Sequence, residues 1–168
     1  MGNFLTSFPA GTYLVGRDIS PGIYVGEAST DIMDSCYWAR LGGVSGDVND
    51  LHSNDNALGL YYVKILESDF AFRTACGMTI IEDVPAQDEF LTSLEPGTYI
   101  IGRDIEAGTY RGEAGSDILE SCYWARLAGV SGDMNELLAN DNATGQYFIE
   151  VLPTDFALST GCSLEKAE

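Results

Sequence analysis

Basic side chains are scarce. Eight Lys and Arg stand against 26 Asp and Glu, histidine occurs once, and the formal net charge is −18. Nucleic acid is bound through clustered Lys and Arg that neutralise phosphates, so this balance excludes it as a partner. Long apolar runs are also missing. None approaches the ~18 residues that a spanning helix needs, so no membrane span is expected. There is no CxxC pair, and one histidine leaves zinc short of ligands. The same count removes His-based triads and His-rich metal sites. What remains is a chain of 168 residues, 45% apolar, long enough for one large or two small packed domains.

An internal repeat decides between those two. Gly11-Thr12-Tyr13 returns as Gly97-Thr98-Tyr99, and Cys36-Tyr37-Trp38-Ala39-Arg40-Leu41 returns as Cys122-Tyr123-Trp124-Ala125-Arg126-Leu127. The offset is always 86 residues, and 44 of the 74 aligned positions from 4–77 against 90–163 are identical. The chain is a tandem duplication. Each copy suits a small domain: residues 1–78 and 88–168 are read as the two domains, with 79–87 between them as a linker or a strap strand.

The local pattern is β throughout. Aromatic and β-branched runs alternate with Gly, Pro, Asn and Asp at short intervals. In copy one the expected strands are 11–15, 23–26, 36–41, 61–66 and 69–74. Turns are expected at Pro21-Gly22, at 45–47 and at 54–59, with one helical turn at 49–51 and its counterpart at 135–138. No segment carries a helical stripe. The fold class is therefore all-β: two tandem antiparallel β-sandwich or small-barrel domains, between which the pattern does not choose.

The four cysteines fall two per copy at identical spacing. Of three connectivities, the repeat favours Cys36 with Cys76 and Cys122 with Cys162. Metal ligation and free buried thiols are the rival readings. A bridge implies an oxidising compartment. Met1-Gly2-Asn3-Phe4 has neither a basic region nor an apolar core of a leader, so the reading expects a leader already removed or another route out, as in a virion. Residues 1–6 also fit an acylation pattern. Phe4-Leu5-Thr6-Ser7 reappears as Phe90-Leu91-Thr92-Ser93, which favours a structural origin.

A residue kept in both copies serves the fold or a shared site. His52 aligns with Leu138 and Lys64 with Glu150, and no GxSxG motif appears, so no enzymatic activity is expected. The acidic segments holding Asp47, Asn49, Asp50 and Asp55, and Asp133, Asn135, Glu136 and Asp141, supply the oxygen ligands that Ca²⁺ wants. They are also ordinary Asx turn chemistry. Arg40 and Arg126 on apolar strands need carboxylates, with Asp69 and Asp155 as the expected structural partners and Asp18 and Asp104 as further candidates. Trp38 and Trp124 are expected to pack inward beside the bridges. Tyr37, Tyr123, Tyr61 and Tyr147 are candidate contact aromatics for a protein or a glycan. Asn142-Ala143-Thr144 fits a glycosylation acceptor.

With these residues in place, each copy resembles a small all-β, one-disulfide domain of secreted proteins and lipoproteins of actinobacteria. The resemblance rests on Gly11-Thr12-Tyr13, Val15-Gly16, Asp18-Ile19, Pro21-Gly22 and Tyr24, then on 36–41, Asn54-Asp55-Asn56, Gly59, Asp69, Phe72 and Cys76-Gly77. Copy two departs at Ala107 and Ser163. The resemblance implies export and the intradomain bridge, and it brings no activity. The expected protein is a non-enzymatic extracellular or envelope-associated structural or binding protein, with protein or self contacts that could build a fibre or surface layer. The alternatives are a Ca²⁺- or glycan-binding module and a virion surface protein.

Overall fold

Strands form where β-branched and aromatic residues alternate, and they stop where Gly, Pro or Asx residues offer the backbone a turn. The computed structural model describes residues 3–167. Met1, Gly2 and Glu168 lie outside these, and with them the head of the acylation pattern and the outer ends of the two expected domains. Copy one holds β1 (Ser7–Phe8), β2 (Gly11–Leu14), β3 (Gly22–Glu27), β4 (Cys36–Leu41), β5 (Leu51–Ala57), β6 (Leu60–Ile65), β7 (Ala71–Thr74) and β8 (Met78–Ile80). Copy two repeats the series as β9 (Ser93–Leu94), β10 (Gly97–Ile100), β11 (Gly108–Glu113), β12 (Cys122–Leu127), β13 (Leu137–Ala143), β14 (Gln146–Val151), β15 (Ala157–Thr160) and β16 (Leu164–Lys166). Among the described residues the only helical pieces are short 3-10 turns, and no helix is long and apolar enough to cross a membrane.

Each copy makes two four-stranded sheets, in the orders β1-β8-β3-β6 and β2-β7-β4-β5, and β9-β16-β11-β14 and β10-β15-β12-β13. The strand pairs are antiparallel. In copy one the core joins the inner faces of both sheets: Phe8, Tyr24, Val63 and Met78 from one, Cys36, Trp38 and Phe72 from the other. Phe8 sits at the centre, with its ring centroid 4.5 Å from Tyr13, 5.5 Å from Tyr24 and 6.4 Å from Phe72. The architecture is a sandwich, not a closed barrel. Two compact units result. The first is Met1–Pro85 with Val130–Asp133, and the second is Ala86–Gly129 with Met134–Glu168.

Several expectations change. Residues 54–56 were expected in a turn but belong to β5, paired with β4 through Trp38↔Asp55. Asx chemistry is present there, yet the neighbouring strand supplies the backbone partners and wins. The strand expected from residue 69 begins at Ala71, because Asp69 turns the chain: its N–H donates to Leu66 O at 3.0 Å. β1 is too short to show in the pattern. The helical turns lie at Val48–Asp50 and Met134–Glu136, one residue ahead of expectation. Residues 78–80 form β8, which joins copy one's first sheet, and the stretch after Asp83 is irregular.

Candidate functional site

β4 is the spine of copy one. Its inward face carries Cys36, Trp38 and Arg40 in succession, because alternate residues of a strand share a face. Cys36 bridges Cys76, and Cys122 bridges Cys162, with Cα–Cα distances of 5.7 and 5.6 Å. Thr74 and Thr160 fix the far end of each bridge, donating from Oγ1 to the carbonyls of Cys76 and Cys162 at 2.7 Å.

At the other end of the strand Arg40 is buried against a buried carboxylate. Its Nη1 lies 3.3 Å from Asp69 Oδ1 and 3.4 Å from Oδ2, and Leu66 N–H donates to Oδ2 at 2.8 Å. His52 Nδ1 stands 2.9 Å from Asp69 Oδ1. In copy two Arg126 Nε and Nη2 donate to Asp155 at 2.7 and 3.0 Å, and Leu152 N–H donates at 2.9 Å. Burial pushes the Asp155 carboxyl up. The Arg126 hydrogen bond, the Leu152 N–H and the Arg126 charge outweigh it and hold the group below its ordinary value. The Arg126 guanidinium is raised in turn, chiefly by its hydrogen bond to Asp155. Removing one partner of such a buried pair costs about 3–5 kcal/mol, so the pairs serve the fold first. Asp18 accepts Leu14 N–H and pairs with Arg17.

The histidine contact was not anticipated, although the sequence held a trace of it. His52 and Gly42 in copy one become Leu138 and Ala128 in copy two. A Cβ on Gly42 would stand 2.6 Å from His52 Nε2, so an alanine at this position would require the imidazole to shift.

Four of the acidic side chains accept hydrogen bonds from residues close by in sequence. Asp47 Oδ1 accepts Asn49 N–H at 2.8 Å, and Asp50 Oδ2 accepts Ser45 N–H and Oγ–H at 3.1 and 2.6 Å. Asp55 and Asp141 accept the N–H of Asn56 and Asn142, each at 2.8 Å. No group of three His, Cys, Asp or Glu suited to a metal ion occurs among the described residues. Asp47 and Asp50 hold the loop ahead of β5, whereas Asp55 and Asp141 stand within β5 and β13.

Of the four candidate contact tyrosines, two must be reassigned. Tyr61 and Tyr147 are buried, and the Tyr147 hydroxyl has no hydrogen-bond partner among the described residues. Both point inward because residues 61 and 147 alternate with the outward positions of β6 and β14. Burial pushes both hydroxyls up. Tyr37 and Tyr123 lie on the outer face, where Asn54 and Asn140 Nδ2 donate to their hydroxyls at 3.2 and 3.1 Å. In copy one Tyr37 lines an open groove of about 310 Å³ with Ala39, Leu41, Arg73 and the loop 43–51. Arg73 makes no ion pair among the described residues, and its counterpart is Ser159.

Two disulfide-closed sandwiches built on repeated Arg–Asp pairs define a class: small modular β proteins of an oxidising exterior. The family of Rv1352-like extracellular domains matches the chain twice, over residues 6–78 and 92–164, and the chain belongs to it. The protein is therefore extracellular or envelope-associated. No curated protein and no solved structure matches it.

Proposed function

We propose that this is a non-enzymatic structural or binding module whose outer sheet faces make protein contacts at the cell exterior. The observation that carries this reading is what duplication kept. The sulfur link, the Arg–Asp pair and the outward Tyr–Asn pair stand in both copies. The single histidine, the side chain most used for acid–base chemistry at neutral pH, stands in one. Two equivalent contact faces on one chain give avidity, since the second contact forms at a raised effective concentration. The test is sedimentation of the full-length protein with isolated envelopes of the producing cell. Wild type is expected to pellet. Tyr37→Ser with Tyr123→Ser is expected to lower the bound fraction at least tenfold, the size of a lost hot-spot contact. Equal pelleting of the two proteins refutes the role of these faces.

The groove beside Tyr37 favours a second reading, a glycan stacked on the ring and held by Arg73. It predicts a hit on a glycan array that Arg73→Ser, the copy-two residue, abolishes.

A further inference from the structure

The first compact unit contains a segment that the repeat did not place there. Val130–Asp133 belongs to it together with Met1–Pro85. Within that unit Lys64 N–H on the edge strand β6 donates to Val130 O at 2.9 Å, and Ser53 Oγ donates to Gly132 O at 3.0 Å. Gly132 has φ +84, and a Cβ there would lie 2.9 Å from the Trp38 ring and 2.2 Å from Ser53 Oγ. A backbone loop thus lies against the indole and adds to an open sheet edge.

Both halves of this arrangement occur a second time, and there they are bare. The same four residues, Val-Ser-Gly-Asp, stand at 44–47. Val130 is 6% exposed, but Val44 is 60% exposed. Gly46 has the same left-handed φ, +86, and a Cβ there would meet nothing. Its loop is already held in shape, since Asp50 accepts the N–H and hydroxyl of Ser45 and Ser45 Oγ accepts Asp47 N–H. The receiving strand of copy two is β14, an edge of its sheet. Tyr62 on β6 is 5% exposed, whereas its counterpart Phe148 is 54% exposed. Trp124 is half-exposed where Trp38 is buried. The bond that Lys64 N–H makes has no counterpart at Glu150 among the described residues.

We propose that the loop 44–47 of one molecule docks on the β14 edge of another, against Phe148 and Trp124, so that chains join head to tail. This deepens the proposed function by naming a self-contact surface, and it rests on that reading. The occupant is a second copy of this chain because the matching segment is already seated on the matching edge within the first unit. The contact is heterologous: donor and receiver are different surfaces, so each added chain presents a fresh receiver. Two features keep it weak. Ala139 replaces Ser53 and removes one donor, and a net charge of −18 repels like chains until salt screens it.

Sedimentation velocity on the full-length chain tests this, with Val44→Lys and Phe148→Lys as the variants. Both sites are exposed, and Lys lowers the net negative charge, so loss of assembly cannot come from added repulsion. The wild type is expected to grow in mass with concentration, more so at high salt. Each variant alone is expected to stay monomeric. An equimolar mixture is expected to stop at dimers, because the first variant keeps its receiver and the second keeps its loop. A wild type that stays monomeric at millimolar concentration and high salt overturns the proposal. So does a variant that assembles like wild type, or a mixture that stays monomeric. Envelope binding by a strictly monomeric protein would sink this contact and leave the proposed function standing.

Discussion

Arg40 and Arg126 hold the same strand position in surroundings that have drifted apart. Asp69 serves an arginine, a backbone N–H and a histidine, while Asp155 serves an arginine and a backbone N–H alone. The exchange of His52 and Gly42 for Leu138 and Ala128 is the visible record of that drift. Gly42→Ala is expected to destabilise the protein, because its Cβ meets His52 Nε2, and His52→Leu is expected to relieve it. A double-mutant cycle read by urea denaturation should give a coupling of about 0.5–3 kcal/mol. Additive effects would show that the contact is idle. Asp155 sets an acid limit. Its carboxyl lies below the ordinary 3.8, so its stabilising effect is fully present above that value and is lost as pH falls through the depressed one. Asp155→Asn should flatten the fall in urea midpoint below about pH 4. The arginine–carboxylate partnership could be read in the sequence, because a charge on an apolar strand demands a counter-charge. The histidine could not, since a lone polar residue on an exposed strand has many solutions.

At the scale of elements, the strands with aromatic and β-branched runs were legible and those made of Asn and Asp were not. β5 reads LHSNDNA, which by propensity is a turn. It is a strand because β4 pairs along its whole length, and neighbours decide edge strands more than composition does. The disulfides were legible because duplication kept their spacing. Each closes a loop of 40 residues between β4 and the end of β7 or their equivalents. The chain-entropy model puts such a closure near 4 kcal/mol, a large share of what so small a core can supply. Cys36→Ala with Cys76→Ala is therefore expected to lower unfolding stability by about 4 kcal/mol in denaturant titration. A loss below about 1 kcal/mol would mean that the reduced state keeps the same loop structure.

At the scale of the molecule, duplication was plain from a fixed offset, but its consequences for surfaces were not. Equivalent residues differ tenfold in exposure, as Val44 and Val130 do, and nothing in four identical letters announces it. Sequence identity reports what each copy needs to fold, and burial reports what each copy meets afterwards. The acidic segments illustrate the same gap. As strings they resemble a cation site, whereas in space Asp47, Asp50, Asp55 and Asp141 each accept from a nearby N–H, and Asp50 from a hydroxyl as well.

Each sulfur link closes inside its own copy, and residues 85–90 between them are exposed and irregular. A single cut by an extracellular protease in that stretch would leave no covalent tie from one side to the other. On a denaturing gel run without reductant, the nicked protein would therefore part into two bands of roughly half mass, each still internally cross-linked.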